Sequence, residues 1–228
     1  MEINICLSHI ITQSTPSYGS RDKVFLRINS SIAAGESANS SSWFFSNNHI
    51  GTHIDSPHHF SQTGQKTYEI PVGDFIFNNV YLVDIPCANG KLIKIQDLSS
   101  FTIPENVELL LIRTGYELFR SDEKYWKDGP GLDAELASYF RNEYPQIRCV
   151  GFDFISLTSW NFRDEGRKSH MAFLCPGDGG RSILIIEDMA IAKVDASINW
   201  TVVAPMFVED GNGGAVTVFA NVNAAHER

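Results

Sequence analysis

The stretch His49-Ile50-Gly51-Thr52-His53-Ile54-Asp55-Ser56-Pro57-His58-His59-Phe60 holds four of the seven histidines within eleven positions. Successive side chains of an extended segment point to opposite faces, so side chains two positions apart share a face. One face would then carry the four ligand-type residues His49, His53, Asp55 and His59. Pro57 lacks an N–H and fixes φ, which ends regular pairing. The stretch therefore predicts a β-strand that carries imidazoles and a carboxylate on one side, with a turn after it.

Imidazole and carboxylate ligands together suit zinc, manganese or iron. Gly51 is expected to leave room beside a bound ion, where a side chain would crowd it. A helical alternative exists, because His49 and His53 have the spacing of the zinc-protease helix. That motif needs a Glu directly after its first His, and Ile50 stands there. A purely structural set of histidines is the other alternative, but several imidazoles on one face with an Asp between them favour a metal site.

The pattern His49-x-Gly51-Thr52-His53-x-Asp55-x-Pro57-x-His59-Phe60 resembles the signature of the cyclase family of metal-dependent hydrolases. That family includes kynurenine formamidase (arylformamidase) and isatin hydrolase. The resemblance implies that His49, His53 and Asp55 bind a first metal ion, and that Asp55 also bridges to a second ion where there is one. It implies that His59 is the proton donor and acceptor. His58 fills a variable position and receives no role.

Later segments extend the resemblance. It implies that His170, on a helix, and Glu187, at the end of a strand, complete a second metal site, with Asp188 as the competitor for the role of Glu187. Tyr18 follows Thr15-Pro16 and would line the substrate pocket, although Gly19-Ser20 replaces the family's usual Pro-Gly. The implied cofactor is a divalent metal, one or two ions per chain, with zinc expected and manganese as the alternative.

The implied activity is metal-dependent hydrolysis of an amide bond in a small aromatic substrate, as in the conversion of N-formylkynurenine to kynurenine and formate. Such a site would activate water for attack on the carbonyl carbon, and an imidazole such as His59 would take and return the proton. Opening of a cyclic amide with a single manganese ion, as in isatin hydrolase, is the alternative. A catalytically inactive metal-dependent binding protein is the alternative from a different class.

Composition and net charge indicate the domain organisation and exclude some classes of binding partner. The chain has 228 residues, 43% of them hydrophobic and 20% charged, which predicts one globular domain over residues 1–228. The formal net charge of −9 argues against nucleic acid or an anionic membrane as the main partner. We expect no signal peptide and no membrane span, reduced thiols at all four cysteines, and a cytoplasmic location. The resemblance also implies a homodimer or homotetramer.

Apolar runs predict the elements around this stretch. Residues 3–11 could form a strand or a short helix. Strands are predicted at residues 23–28, 43–45, 80–85, 109–112, 147–154, 183–186, 199–208 and 215–222. Helices are predicted at residues 132–144 and 163–174. Strands outnumber helices, which indicates a mixed α/β fold with a β-rich, barrel-like core and flanking helices. The resemblance implies the swivelling β/β/α type of this fold.

Overall fold

The computed structural model describes residues 1–177 and 180–223. Within these residues the strands are β1 (Glu2–Cys6), β2 (Val24–Ser30), β3 (Ser40–Phe45), β4 (His53–Asp55), β5 (Ile76–Phe77), β6 (Val80–Asp84), β7 (Leu92–Ile93), β8 (Leu109–Arg113), β9 (Gly131–Leu132), β10 (Cys149–Phe152), β11 (Leu184–Glu187), β12 (Ile198–Pro205) and β13 (Gly213–Asn223). The helices are α1 (Lys124–Lys127), α2 (Glu135–Glu143) and α3 (Arg163–Leu174). Short 3-10 turns connect many of them.

One nine-stranded sheet forms the framework. Eight strands follow the order β5-β12-β13-β4-β11-β10-β8-β6, and β1 pairs with β13. Strands β6, β8, β10 and β11 run parallel to one another, whereas β4 is antiparallel to both of its neighbours. Strand β6 also contacts β12 near the far end of the order, so the sheet is nearly a closed barrel. The predicted mixed α/β fold with a β-rich core is confirmed.

Both faces of the parallel strands are buried, which explains their nearly continuous apolar sequences. In β8, Leu110 and Ile112 face a core that α2 and α3 cover with side chains such as Phe140 and Phe173. The alternate residues, such as Leu111, face the second core. This second core contains residues from β4, β11 and β13, including Ile54, Ile186 and Val218. The central strands therefore form a rigid support with no solvent-exposed face.

The predicted strands are present with ends shifted by up to three residues, and two further predictions differ from the structure. The predicted helix at 132–144 begins only at Glu135, because Leu132 belongs to β9 and pairs with Ile93 of β7. The extended segment predicted before Pro57 is a strand only at His53–Asp55, and the turn expected at Pro57 is the 3-10 turn Pro57–His59. The helix predicted at 163–174 is confirmed with the same bounds, and the ambiguous segment at 3–11 contains strand β1.

Strands β2 and β3 form a separate two-stranded antiparallel hairpin. Phe25 pairs with Phe44 and Leu26 pairs with Trp43, and all four side chains are exposed. Directly opposite residues share a face of a ribbon, so both faces of the hairpin present apolar surface.

Among the described residues, no helix has the length and hydropathy that crossing a membrane requires.

Candidate metal site

Strand β4 places His53 and Asp55 side by side at the centre of the sheet. Both side chains are almost completely buried. The Nδ1 atom of His53 lies 2.8 Å from the carbonyl oxygen of Gly51, so this nitrogen donates a hydrogen bond to that oxygen. The opposite ring nitrogen, Nε2, lies 3.6 Å from Asp55 Oδ1. A backbone carbonyl thus fixes the ring of His53 so that Nε2 faces a carboxylate, which is the usual support of a metal-binding histidine.

Strand β11 brings Glu187 to the same point, because Glu187 is directly opposite His53 in the antiparallel pair. Glu187 Oε2 lies 3.2 Å from His53 Nε2, and Oε1 accepts a hydrogen bond of 2.7 Å from the backbone N–H of Leu157. His170 of α3 completes this side. Its Nδ1 lies 2.9 Å from the carbonyl oxygen of Gly166, and its Nε2 lies 3.5 Å from both Asp55 Oδ2 and Glu187 Oε1. Two imidazoles therefore present Nε2 to two buried carboxylates.

His49 and His59 reach the cluster from the turns on either side of β4. His49 Nδ1 lies 2.7 Å from Asp55 Oδ1, and its ring stacks on that of His59 with centroids 4.0 Å apart. The potential ligand atoms form two groups, each with members within 4.8 Å of one another. One group is His49, Asp55 and His59, and the other is His53, Asp55 and Glu187. Asp55 is common to both, and His53 belongs with Glu187 rather than with His49.

Gly51 has a different role from the one expected. Its φ of +71° lies in the left-handed region, which an L side chain rarely adopts. A Cβ atom there would also lie only 3.3 Å from Ile11. Gly51 is thus needed for the turn that carries His49 back to β4, and not as free space beside an ion.

The pKa values of the clustered side chains indicate that the site needs positive charge. Burial alone would lower the pKa of His53, but the nearby carboxylate of Glu187 raises it to about 9. The pKa of His170 likewise rises to about 10 against the effect of burial, because the carboxylates of Asp55 and Glu187 lie close to its ring. Burial would raise the pKa of Glu187, yet the two histidines lower it to about 2. The buried carboxylates therefore stay ionised and need positive charge beside them.

A divalent cation fits this need. His53 Nε2 is buried and has no hydrogen-bond partner in the described part of the chain, although it faces Asp55 and Glu187. A carboxylate and an imidazole nitrogen that converge without a bond between them are the donors that zinc and manganese prefer. An ion can replace the protons that the imidazoles would otherwise hold, because a metal site binds deprotonated ligands. The residues present therefore fit a divalent metal.

His59 differs from the other histidines electrostatically. Burial lowers the pKa of His59 to about 4, and the charge of Asp55 offsets only part of this effect. Its imidazole is therefore neutral at pH 7 and able to accept a proton. His59 contacts the rings of His49, Phe60 and His170. A neutral base thus lies beside Asp55, with their nearest ligand atoms within 4.8 Å.

A cavity of about 310 Å³ opens over the cluster, a size suited to a small molecule. Tyr18 lines it together with Phe60 and Ile155, whereas His58 is not among the lining residues. The lining also includes Arg21, Asp22, Asn47, Ser156, Thr158, Arg163 and Arg167, which sequence reasoning did not select. The turn at Tyr18–Ser20 packs against Trp160, which directly precedes α3, and no local pattern marks these lining residues in the sequence.

Arg113 and Asp188 lie outside the cluster. Arg113 forms an ion pair with Asp84 at the end of β6 and donates to backbone carbonyls, and it does not line the cavity. Asp188 accepts hydrogen bonds from Arg120 and Tyr125 on the opposite side of β11. Of the two neighbouring acids, only Glu187 therefore belongs to the cluster.

Comparisons with known proteins agree with this geometry. The Cyclase family model, described as putative cyclase, matches residues 5–158. The kynurenine formamidase of Bacillus cereus is 28% identical over 168 residues, which cover 74% of this chain and 73% of that protein. The structure of isatin hydrolase A from Labrenzia aggregata bound to benzyl benzoate superposes with a TM-score of 0.77 at 18% identity, covering 97% of this chain and 94% of that one.

A structure described as a potential metal-dependent hydrolase with cyclase activity gives a TM-score of 0.73 at 20% identity and covers 99% of this chain and 100% of that one. At such low identities the two superpositions establish the fold. The family assignment rests on the model, which spans more than half of the sequence and includes the whole motif at residues 49–60. The chain therefore belongs to the cyclase family of metal-dependent hydrolases.

Proposed function

We propose that the protein hydrolyses the C–N amide bond of a small aromatic substrate, as an arylformamidase does. The observation that carries this proposal is the position of His59, a neutral imidazole beside a buried cluster of carboxylates and imidazoles at the floor of a cavity. The similarity to the kynurenine formamidase of Bacillus cereus supports a formamide as the substrate. Tyr18 and Phe60 provide aromatic walls for such a ligand.

Five residues would hold the metal: His49, His53, Asp55, His170 and Glu187. Zinc is the expected ion, at one or two per chain, and manganese is the alternative. A bound divalent ion supplies Lewis acidity, which lowers the pKa of water to about 7 and polarises a carbonyl oxygen. Asp55 would contribute to both halves of a two-ion site, because it belongs to both groups of potential ligand atoms.

The remaining steps fall to side chains of this chain. A ring nitrogen of His59 accepts the proton of the attacking water and then returns it to the leaving nitrogen of the amide. The carbonyl oxygens of Gly51 and Gly166 hold the Nδ1 protons of His53 and His170, which keeps both rings in one tautomer and one orientation. The hydrogen bond from the N–H of Leu157 fixes Glu187. The proposed metal ligands His53, His170 and Glu187 are thus held in place before the substrate arrives.

The direct test is an assay of the purified protein with N-formylkynurenine and with isatin, followed by absorbance. We expect hydrolysis of the formamide, loss of activity with a chelator, and recovery with Zn²⁺ or Mn²⁺. Opening of isatin alone would replace the formamidase proposal by the cyclic-amide alternative. Absence of turnover with both substrates and with a panel of small amides and esters, in protein that binds metal, would favour a binding protein.

We also propose that the protein assembles as a homodimer or homotetramer through the β2–β3 hairpin. An isolated two-stranded hairpin is marginally stable in water. This one exposes Phe25, Leu26, Trp43 and Phe44 on its two faces. Exposed apolar side chains clustered in this way indicate an interaction site. A second copy of the chain carries the same surface, so a symmetric contact would cover both hairpins at once.

A further inference from the structure

Three arginines lie around the mouth of the cavity, namely Arg21, Arg163 and Arg167. Arg21 directly follows the turn at Tyr18–Ser20. Arg163 and Arg167 lie one turn apart on α3, so their side chains project from the same face of the helix. The three guanidinium groups thus come from two separate segments of the chain and meet at one opening.

Trp160 holds two of these arginines in place. The guanidinium carbon of Arg163 lies 5.0 Å from the centroid of the Trp160 ring, and that of Arg21 lies 5.5 Å from it. The ring also packs against Tyr18, with centroids 5.3 Å apart. Stacking on an aromatic ring restrains a guanidinium while leaving its N–H groups free to donate. The arginines are therefore positioned more firmly than isolated surface side chains.

The protein itself provides little negative charge for them. Among the described residues, no carboxylate oxygen lies within 4.0 Å of a guanidinium nitrogen of Arg21 or Arg163. Arg167 approaches Asp164 at 3.7 Å, but both side chains are largely exposed. Asp22, which also lines the cavity, accepts hydrogen bonds from Ser46 and Asn47 instead. The carboxylates at the floor of the cavity are in contact with histidines.

Tyr18 links this group to the cavity. Its hydroxyl is buried and has no hydrogen-bond partner in residues 1–177 and 180–223. Tyr18 and Arg163 both contact the ring of Trp160 and both line the cavity. A substrate group that accepts hydrogen bonds at this point would satisfy both side chains.

We propose that Arg21, Arg163 and Arg167 bind a carboxylate of the substrate, so that the enzyme prefers amides that carry a carboxylate away from the scissile bond. The planar fork of a guanidinium matches a carboxylate with two parallel hydrogen bonds. The protein has a formal net charge of −9, which repels an anionic substrate. Such a substrate therefore needs a local cluster of positive charge to approach the buried carboxylates. This inference rests on the proposed amide hydrolysis and adds the substrate class to it.

The test compares formanilide, which is neutral, with 3-formamidobenzoate, which differs from it by one carboxylate. The double variant Arg21→Gln/Arg163→Gln keeps apolar stems that pack on Trp160. Lys168→Gln is the matched control, because Lys168 lies on the same helix, is exposed and does not line the cavity. The quantity measured is kcat/KM for both substrates with each protein.

We expect the double variant to lose roughly tenfold to a hundredfold in kcat/KM for 3-formamidobenzoate, the size of a lost hydrogen-bonded charge contact. Its kcat/KM for formanilide should stay within about twofold of wild type, which also shows that the variant folds and retains its metal. Lys168→Gln should change neither value. An equal loss with both substrates, or no preference for the carboxylate in wild type, would overturn the proposal.

A binding measurement keeps this proposal separate from the proposed function. If wild type hydrolyses neither substrate, the amide-hydrolase proposal fails, and calorimetric titration of the metal-loaded protein with benzoate and with benzamide decides the question of the arginines. Benzoate binding that weakens in the double variant but not in Lys168→Gln supports the carboxylate site. Benzoate binding that is absent, or unchanged in the double variant, refutes it.

Discussion

Glu187 and Asp188 are adjacent in the chain, yet their carboxylates lie in separate buried networks. Glu187 lies 3.2 Å from His53 in the cluster under the cavity. Asp188 has a φ of +53° and points the other way, where Arg120 donates two hydrogen bonds of 2.8 Å and Tyr125 donates one of 2.5 Å. We therefore propose that Glu187 serves the chemistry and Asp188 the stability of the fold, and the two roles can be tested separately.

Replacement of Asp188 should reduce stability and leave metal binding intact. Asp188→Asn removes the charge that compensates Arg120, and breaking a buried ion pair in this way costs about 3–5 kcal/mol. Urea denaturation gives the free energy of unfolding. Asp84→Asn is the control, because Asp84 pairs with Arg113 at the surface and is 53% exposed, so its loss should cost only about 0–1 kcal/mol. Equal effects of the two variants would contradict the structural role of Asp188.

Replacement of Glu187 should change the metal content instead. Elemental analysis of protein purified without added metal is expected to give near two ions per wild-type chain and one ion per chain of Glu187→Ala, because Asp55 and His49 remain for the other ion. Circular dichroism of both proteins controls for folding. One ion in wild type and in the variant would remove Glu187 from the proposed ligands and would point to a single-ion site.

Loss of the His59 imidazole should separate binding from catalysis. His59→Ala is expected to retain its metal and to lose about 10²–10⁴-fold in kcat, the usual contribution of a general acid–base group. The adjacent His58→Ala is the matched control and should keep wild-type turnover, because His58 does not line the cavity. Full turnover of His59→Ala would show that another group moves the proton.

Removal of the metal should abolish activity without unfolding the protein. Both faces of the sheet are packed by apolar cores that include no ligand residue, so the fold does not depend on the ion. Far-UV circular dichroism should therefore remain unchanged in the presence of a chelator that stops hydrolysis. Unfolding by the chelator would instead indicate a structural metal.

The proposed assembly can be tested at the hairpin. Light scattering of the wild-type protein should give the mass of a dimer or tetramer, and Trp43→Ser/Phe44→Ser should shift the mass toward the monomer, because these side chains are 63% and 62% exposed and apolar. Ile10→Ser is the control, since Ile10 is 85% exposed but lies outside the hairpin. A monomeric wild type would refute the proposal.

Sequence reasoning found most of the candidate site because its chemistry is locally dense. His53 and Asp55 lie two positions apart on a strand and therefore share a face. The spacing of the histidines and the acid identifies the motif without any knowledge of tertiary structure. His170 and Glu187 were reached only through the resemblance, and the structure brings both to within 3.5 Å of other members of the cluster. Their roles as ligands remain predictions.

The parts that sequence reasoning missed depend on long-range packing. The extended segment predicted before Pro57 was wrong on the N-terminal side of β4, since Gly51 turns the chain with a positive φ next to Ile11. The predicted helix start at Leu132 was wrong, because a two-residue pairing with β7 takes precedence over the apolar stripe. No sequence pattern marks the three arginines at the cavity mouth. They come together only because the Tyr18 turn packs against Trp160, which directly precedes α3.

The position of β4 has a consequence for biosynthesis. This three-residue strand is paired on one side with β11 and on the other with β13, so its partners lie more than half the chain away. Contacts of such high sequence separation form late and slowly during folding. While a nascent chain is still emerging from the ribosome, the proposed ligands His170 and Glu187 cannot yet lie beside Asp55. Ion capture should accordingly be a post-translational event that reports completed folding.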